Sequence, residues 1–239
     1  MIRLVIFDLD GTLLDTIADL GTAVNHSLQL HGYPQHPIDA YPAMVGHGVR
    51  NLVTQALPPE ARCQEATVDS VLAGFREYYT RHIDVFTHPY EGMTELLEAL
   101  TARGIALAVA SNKFESGTRA LIGRFFPHIP FALVCGNREG LPLKPDAALV
   151  RLILSQTGVA PEEAVMVGDS RTDIATAHNG GIRCIAVTWG FRPASVLTDA
   201  LNSRSDVRAD GDAGQQHDVR ADGDALATSP AALASLLGL

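Results

Sequence analysis

Cysteine is scarce in this chain. Three are present among 239 residues (Cys63, Cys135 and Cys184), an odd number, far apart and without a C-x-x-C pair. That spacing argues against a disulfide framework and against a structural zinc site. All three are expected to be small buried apolar residues, Cys184 in particular. Long apolar runs are also lacking. None approaches the roughly 18–20 residues that span a bilayer, and the opening Met1-Ile2-Arg3-Leu4-Val5-Ile6-Phe7 reaches an aspartate too soon for a secretory signal. Basic charge is in short supply, with 18 Lys and Arg against 27 Asp and Glu and a formal net charge of −9. The chain as a whole therefore repels a phosphate backbone, and no nucleic-acid partner is expected. The nine histidines are scattered, with no H-E-x-x-H pair and no Cys/His cluster. These absences leave a reduced, cytoplasmic protein, a monomer or homodimer without a membrane partner, acting on something small.

What is present is a repeated pattern. Arg3 to Asp8 is a short β-branched-rich run that stops at acidic residues and reads as a buried strand ending in a polar loop. Ile105 to Ala110 before Ser111-Asn112-Lys113, and Ala164 to Val167 before Gly168-Asp169-Ser170, have the same form. Cys184 to Val187 is a fourth apolar run. Helical spacing fills the gaps. Glu91 to Ala102 stops at Gly104, Pro145 to Thr157 ends near Gly158, and Asp173 to Asn179 is closed by Gly180-Gly181. Such alternation predicts an α/β fold with a parallel sheet and helices on both faces. Ligands bind beyond the carboxyl ends of such strands, where Asp8, Ser111 and Asp169 fall.

Residues 16–87 break the alternation. Leu20, Val24 and Leu28, then Val49, Leu52, Val53 and Leu57, lie at helical spacing between prolines, so a helical insertion is expected between core segments 1–15 and 88–239. Near the end, Asp206 to Ala213 recurs unchanged as Asp218 to Ala225. Two copies do not make a stacked repeat, and the Asp spacing lacks the later Glu of an EF-hand. A duplication lengthening a mobile loop over 202–225 is expected, followed by a short helix from Ser229 to Leu237.

The chemistry-bearing residues stand at the strand ends. In Asp8-Leu9-Asp10-Gly11-Thr12, two carboxylates two residues apart suit a nucleophile that doubles as metal ligand and a neighbour that moves a proton. Gly11 allows a tight turn, to which Thr12 can hydrogen-bond back. Ser111 and Asn112 offer a hydroxyl and loop amides for phosphate oxygens. Lys144, between Leu143 and Pro145 at a helix entry, can neutralise a phosphoryl group. Gly168 to Asp173 adds Asp169 and Asp173. Clustered carboxylates beside a phosphate suit Mg²⁺.

With these four segments in this order, the sequence resembles the haloacid dehalogenase superfamily. The carriers are DLDGT at 8–12, ASN at 110–112, LKP at 143–145 and GDSRTD at 168–173, and the resemblance covers residues 1 to about 192. It implies a Rossmann-like core with a helical C1-type cap over 16–87. It further implies a phosphatase using an aspartyl-phosphate. Asp8 would be the nucleophile, Asp10 the acid and base, and Lys144 the charge neutraliser. Ser111 and Asn112 would bind phosphate. Mg²⁺ would rest on Asp8, the main-chain carbonyl of Asp10, and Asp169, with Asp173 ordering its waters. Within the superfamily the opening FDLDGTLLDT, the run Val45 to Val53 and the segment VGDSRTDIATAHNGG are similar to phosphoglycolate phosphatases, although Thr172 replaces the Asn common there. In that reading Gly46 and Gly48 let cap backbone approach a small phosphorylated metabolite, and His47 or Arg50 meets its carboxylate. The alternative is that these residues open an ordinary cap helix. Pyrophosphate, a sugar phosphate or a biosynthetic intermediate are other substrate readings, and a mutase similar to β-phosphoglucomutase is another reaction. A non-catalytic relative should have lost one of Asp8, Asp10, Lys144 or Asp169, and none is lost.

Overall fold

The chain alternates strands and helices, as seen in a computed structural model that describes residues 1–202 and 223–239. Strand β1 (Leu4–Phe7) leads to a two-residue strand β2 (Leu14–Asp15) and then to helix α1 (Ile17–Leu30). A 3₁₀ segment (Ile38–Ala43) and helices α2 (Gly48–Ala56), α3 (Pro59–Arg62) and α4 (Glu65–Arg81) follow. The chain then passes β3 (His88–Pro89), α5 (Met93–Ala102), β4 (Ala106–Phe114), α6 (Glu115–Phe125) and β5 (Phe131–Asn137). It continues through α7 (Ala148–Thr157), β6 (Ala164–Gly168), α8 (Arg171–Asn179), β7 (Arg183–Val187) and α9 (Ala194–Asn202). Strand β8 (Ala225–Ala227) and helix α10 (Pro230–Leu236) complete it. None of the described helices is long and apolar enough to cross a membrane.

Six strands form one sheet in the order β5-β4-β1-β6-β7-β8, and all its pairings are parallel. The register explains the two-sided core. Val5 lies beside Leu107 and Val165, while Ile6 lies beside Ala108 and Met166. Because successive side chains point to opposite faces, Val5, Phe7, Val109 and Val167 pack under α5, α6 and α10. Leu4, Ile6, Ala108 and Met166 pack under α7, α8 and α9 on the other face. Each fully buried side chain of this size contributes about 1.5–3 kcal/mol relative to exposure, so both faces must be covered.

The helices α1–α4 have a core of their own, with Val24, Leu28, Val53, Val71 and Phe75 buried. The chain leaves and re-enters the sheet side by side, since β2 and β3 pair antiparallel. Beside that crossing the buried carboxylate of Asp19 accepts hydrogen bonds from the amides of Phe86 and Thr87 and the Thr87 hydroxyl.

Several elements depart from the sequence reading. Helix α6 and strand β5 were not expected. Strand β4 runs on through Ser111-Asn112-Lys113, which read as a loop, and α7 starts at Ala148 rather than Pro145. Cys63 is exposed, whereas Cys135 and Cys184 are buried. The expected mobile loop over 202–225 lies outside the described residues except at its ends. There Asn202 closes α9 and Ala225 opens β8, with Asp224 accepting the Cys184 amide at 2.8 Å.

Candidate active site

Asp8, Ser111 and Asp169 come from three adjacent strands, and the carboxyl ends of β1, β4 and β6 bring them to one cavity. Two glycines let the loops converge. Gly11 has φ +86°, and a Cβ there would lie 2.5 Å from Asp169 Oδ2. A Cβ on Gly190 would lie 2.2 Å from the Gly11 carbonyl oxygen. Thr12 hydrogen-bonds back to the turn through its amide, which donates to the Leu9 carbonyl at 3.2 Å, and not through its side chain. Its hydroxyl is buried without a partner among the described residues, and its carbonyl accepts the Trp189 indole N–H at 3.1 Å.

Lys144 sits under the first aspartate. Its ammonium, 2% exposed, lies 2.9 Å from Asp8 Oδ1 and 2.7 Å from Asp173 Oδ1. Asp173 is fixed from its other oxygen by the Ser170 amide and hydroxyl, a reciprocal cap on α8. Asp8, Asp169 and Asp173 each offer an oxygen within 4.8 Å of the others, an all-oxygen set suited to a hard divalent cation. Without such an ion the carboxylates crowd one another. Burial, then Asp173, push the Asp8 carboxyl up to about 7 despite Lys144. Burial, with Asp173 and Asp8, also raises Asp169 well above its ordinary range. Burial alone would lower the Lys144 ammonium, but Asp173 and Asp8 outweigh it and raise it.

Asp10 has a lysine of its own, which sequence reasoning missed. The pairing of β4 with β5 runs from Ala110–Cys135 to Phe114–Asn137, so Ser111, Asn112 and Lys113 face only Gly136. A bulge of this kind frees strand residues to point elsewhere. The Lys113 ammonium reaches Asp10 at 2.9 Å and lies over the Tyr79 ring of α4, 4.7 Å from its centroid. Thr16 donates to the same Asp10 oxygen at 2.7 Å. Ser111 lines the cavity. The Asn112 side chain ties loops together, accepting from the Lys144 amide and donating to the carbonyls of Lys144 and Gly46.

The helical unit supplies the facing wall. Gly46 and Gly48 line the cavity. His47 and Arg50 do not: both are exposed, and Arg50 pairs with Asp69 on the outer surface. The reason is periodicity. Val49, Leu52, Val53 and Ala56 form the buried face of α2, so positions 47 and 50 fall on its opposite side. Arg192, from the loop after β7, lines the cavity instead and donates to the carbonyls of Pro42 and Val45.

The comparisons agree with this geometry. A family model described as haloacid dehalogenase-like hydrolase matches residues 5–187. "Phosphoglycolate phosphatase 1" of Pseudomonas aeruginosa is 34% identical over 192 residues, covering 79% of this chain and 70% of that protein. A phosphoglycolate phosphatase of Agrobacterium fabrum is 35% identical over 190 residues, covering 79% and 81%. Among solved structures, a protein from Lactobacillus delbrueckii subsp. bulgaricus assigned as a phosphoglycolate phosphatase superposes with a TM-score of 0.84. It is 28% identical, with 98% of both chains covered. On the match across 5–187 and the relatives that share it, this chain belongs to the haloacid dehalogenase-like hydrolase family, as a phosphatase.

Proposed function

We propose that the enzyme hydrolyses 2-phosphoglycolate to glycolate and phosphate through an aspartyl-phosphate on Asp8. The observation that carries this reading is the placement of Asp8 and Asp10 in one cavity, each against its own buried lysine. Asp8 Oδ forms a bond to phosphorus as the ester P–O bond breaks, and Asp10 gives its proton to the departing oxygen. Asp10 then takes a proton from water, which attacks phosphorus. The bond to Asp8 breaks, and both aspartates return to their starting states. Lys144 offsets charge between Asp8 and the phosphoryl oxygens, Ser111 and the Asn112 amide hold those oxygens, and Lys113 with Thr16 orients Asp10.

Mg²⁺ is the metal that the donor set favours. Asp8, Asp169 and the main-chain carbonyl of Asp10 would hold it, with Asp173, already bonded to Lys144, ordering its waters. When bound it would supply positive charge that favours the anionic phosphoryl group beside the carboxylates. Residues 16–87 serve as the cap over a core of 1–15 and 88–239. The cysteines are all free, which fits a reducing cytoplasm.

A substrate panel tests the reading. Phosphate release should be fastest from 2-phosphoglycolate, ahead of pyrophosphate, sugar phosphates and simple alkyl phosphates, and should disappear with chelator. A flat profile, or another substrate in front, overturns the substrate assignment. Turnover only with a bisphosphate activator would mark a mutase.

A further inference from the structure

The helical unit lends the cavity no polar side chain. Its contributors are Leu20, Val45, Gly46, Gly48, Val49 and Leu52. A leaving group that reaches the helical unit therefore meets aliphatic side chains and glycine backbone. The loop after β7 adds a charged group to the same lining, the Arg192 guanidinium. The cavity has two other cations, and both are matched: Lys144 by Asp8 and Asp173, Lys113 by Asp10. Arg192 differs. Its bonds go to two neutral acceptors, the carbonyls of Pro42 and Val45, and it forms no ion pair among the described residues.

Two carbonyl bonds orient a guanidinium without cancelling its charge, which leaves N–H donors of a planar fork for a carboxylate. Gly46, whose φ is +117°, brings cap backbone against the guanidinium, and a Cβ added there would lie in contact at 3.4 Å from Arg192 Nη2. We infer that Arg192, rather than His47 or Arg50, selects the substrate by pairing with the anionic end of its leaving group. The expected class is a short phosphate monoester whose leaving group carries a carboxylate. This rests on the proposed reaction and sharpens its substrate requirement.

The test compares 2-phosphoglycolate with 2-hydroxyethyl phosphate, in which a neutral hydroxymethyl group replaces the carboxylate. In the unaltered enzyme, kcat/KM should favour phosphoglycolate. Arg192→Gln keeps an amide donor for the Pro42 and Val45 carbonyls and removes the charge. It should lower the ratio of the two kcat/KM values by about 10–100-fold, the scale of one charged hydrogen bond, mainly through KM for phosphoglycolate. Arg192→Lys should restore part of the ratio, and Arg192→Met, which keeps the stem, repeats the test if the glutamine variant does not fold. If the unaltered enzyme shows no preference for phosphoglycolate, the substrate reading fails and this inference with it. If it shows the preference and the uncharged variants keep it, or lose both substrates by the same factor, Arg192 only clasps the cap and the inference alone is overturned.

Discussion

Asp8→Asn is expected to reduce phosphate release by about 10⁴-fold or more, the order found when a covalent nucleophile is removed, while the protein stays folded. An amide cannot form the acyl-phosphate, whatever else remains in the cavity. The same variant carries a second expectation, free of kinetics. In the metal-free protein the Asp8 carboxyl rises from 3.8 to about 7. A carboxyl raised in the folded state makes that state bind protons more tightly than the unfolded chain. Its stabilising contribution is present below about pH 4 and is lost as pH rises through about 7. The melting temperature of the metal-free enzyme should fall across that window, and less steeply in Asp8→Asn. Saturating Mg²⁺ should flatten the unaltered enzyme's curve too, because a bound cation favours the ionised carboxylates. A variant that keeps a tenth of the turnover would remove Asp8 from the centre of the mechanism.

Lys144→Met should damage both folding and chemistry. The ammonium is 2% exposed and binds two carboxylates whose side chains are 11% and 0% exposed. Removing one partner of a buried ion pair costs about 3–5 kcal/mol because the other charge is left uncompensated. Chemical denaturation should show a loss of that order at neutral pH. The double variant Lys144→Met with Asp173→Asn, which removes charge of both signs, should recover much of the stability. It should recover little kcat, since the ammonium that offsets phosphoryl charge beside Asp8 is still missing. A double variant no more stable than the single one would show that the Asp173 contact is not what Lys144 supports.

How much of this was legible in the sequence follows from which signals are local. Strands β1, β6 and β7 are buried on both faces, so each reads as a short continuous apolar run, and the strand ends carry Asp8 and Asp169 directly. Strand β5 lies at the sheet edge with mixed burial. Strand β8 has three residues, too few for any periodicity to show. Lys113 was visible as a letter beside Ser111 and Asn112. Its role depends on a bulge that turns it toward Asp10, more than a hundred positions away. Arg192 is harder still, for its partners Pro42 and Val45 belong to the other unit. The exclusion of His47 and Arg50, by contrast, was available earlier. The apolar positions 49, 52, 53 and 56 mark the inner face of α2, and positions 47 and 50 are out of phase with them.

The central claim is a phosphoryl group carried by Asp8, and rapid acid quenching addresses it most directly. Unaltered enzyme would be mixed with 2-phosphoglycolate and Mg²⁺, quenched in acid within the first turnover, and read by intact mass and peptide mapping. Asp10 serves both steps, so the intermediate is sought in the enzyme that keeps it, and the expected result is one added phosphoryl group on the peptide that contains Asp8. Phosphate release in that turnover with no phosphorylated enzyme, or with the phosphoryl group on another peptide, would contradict the account.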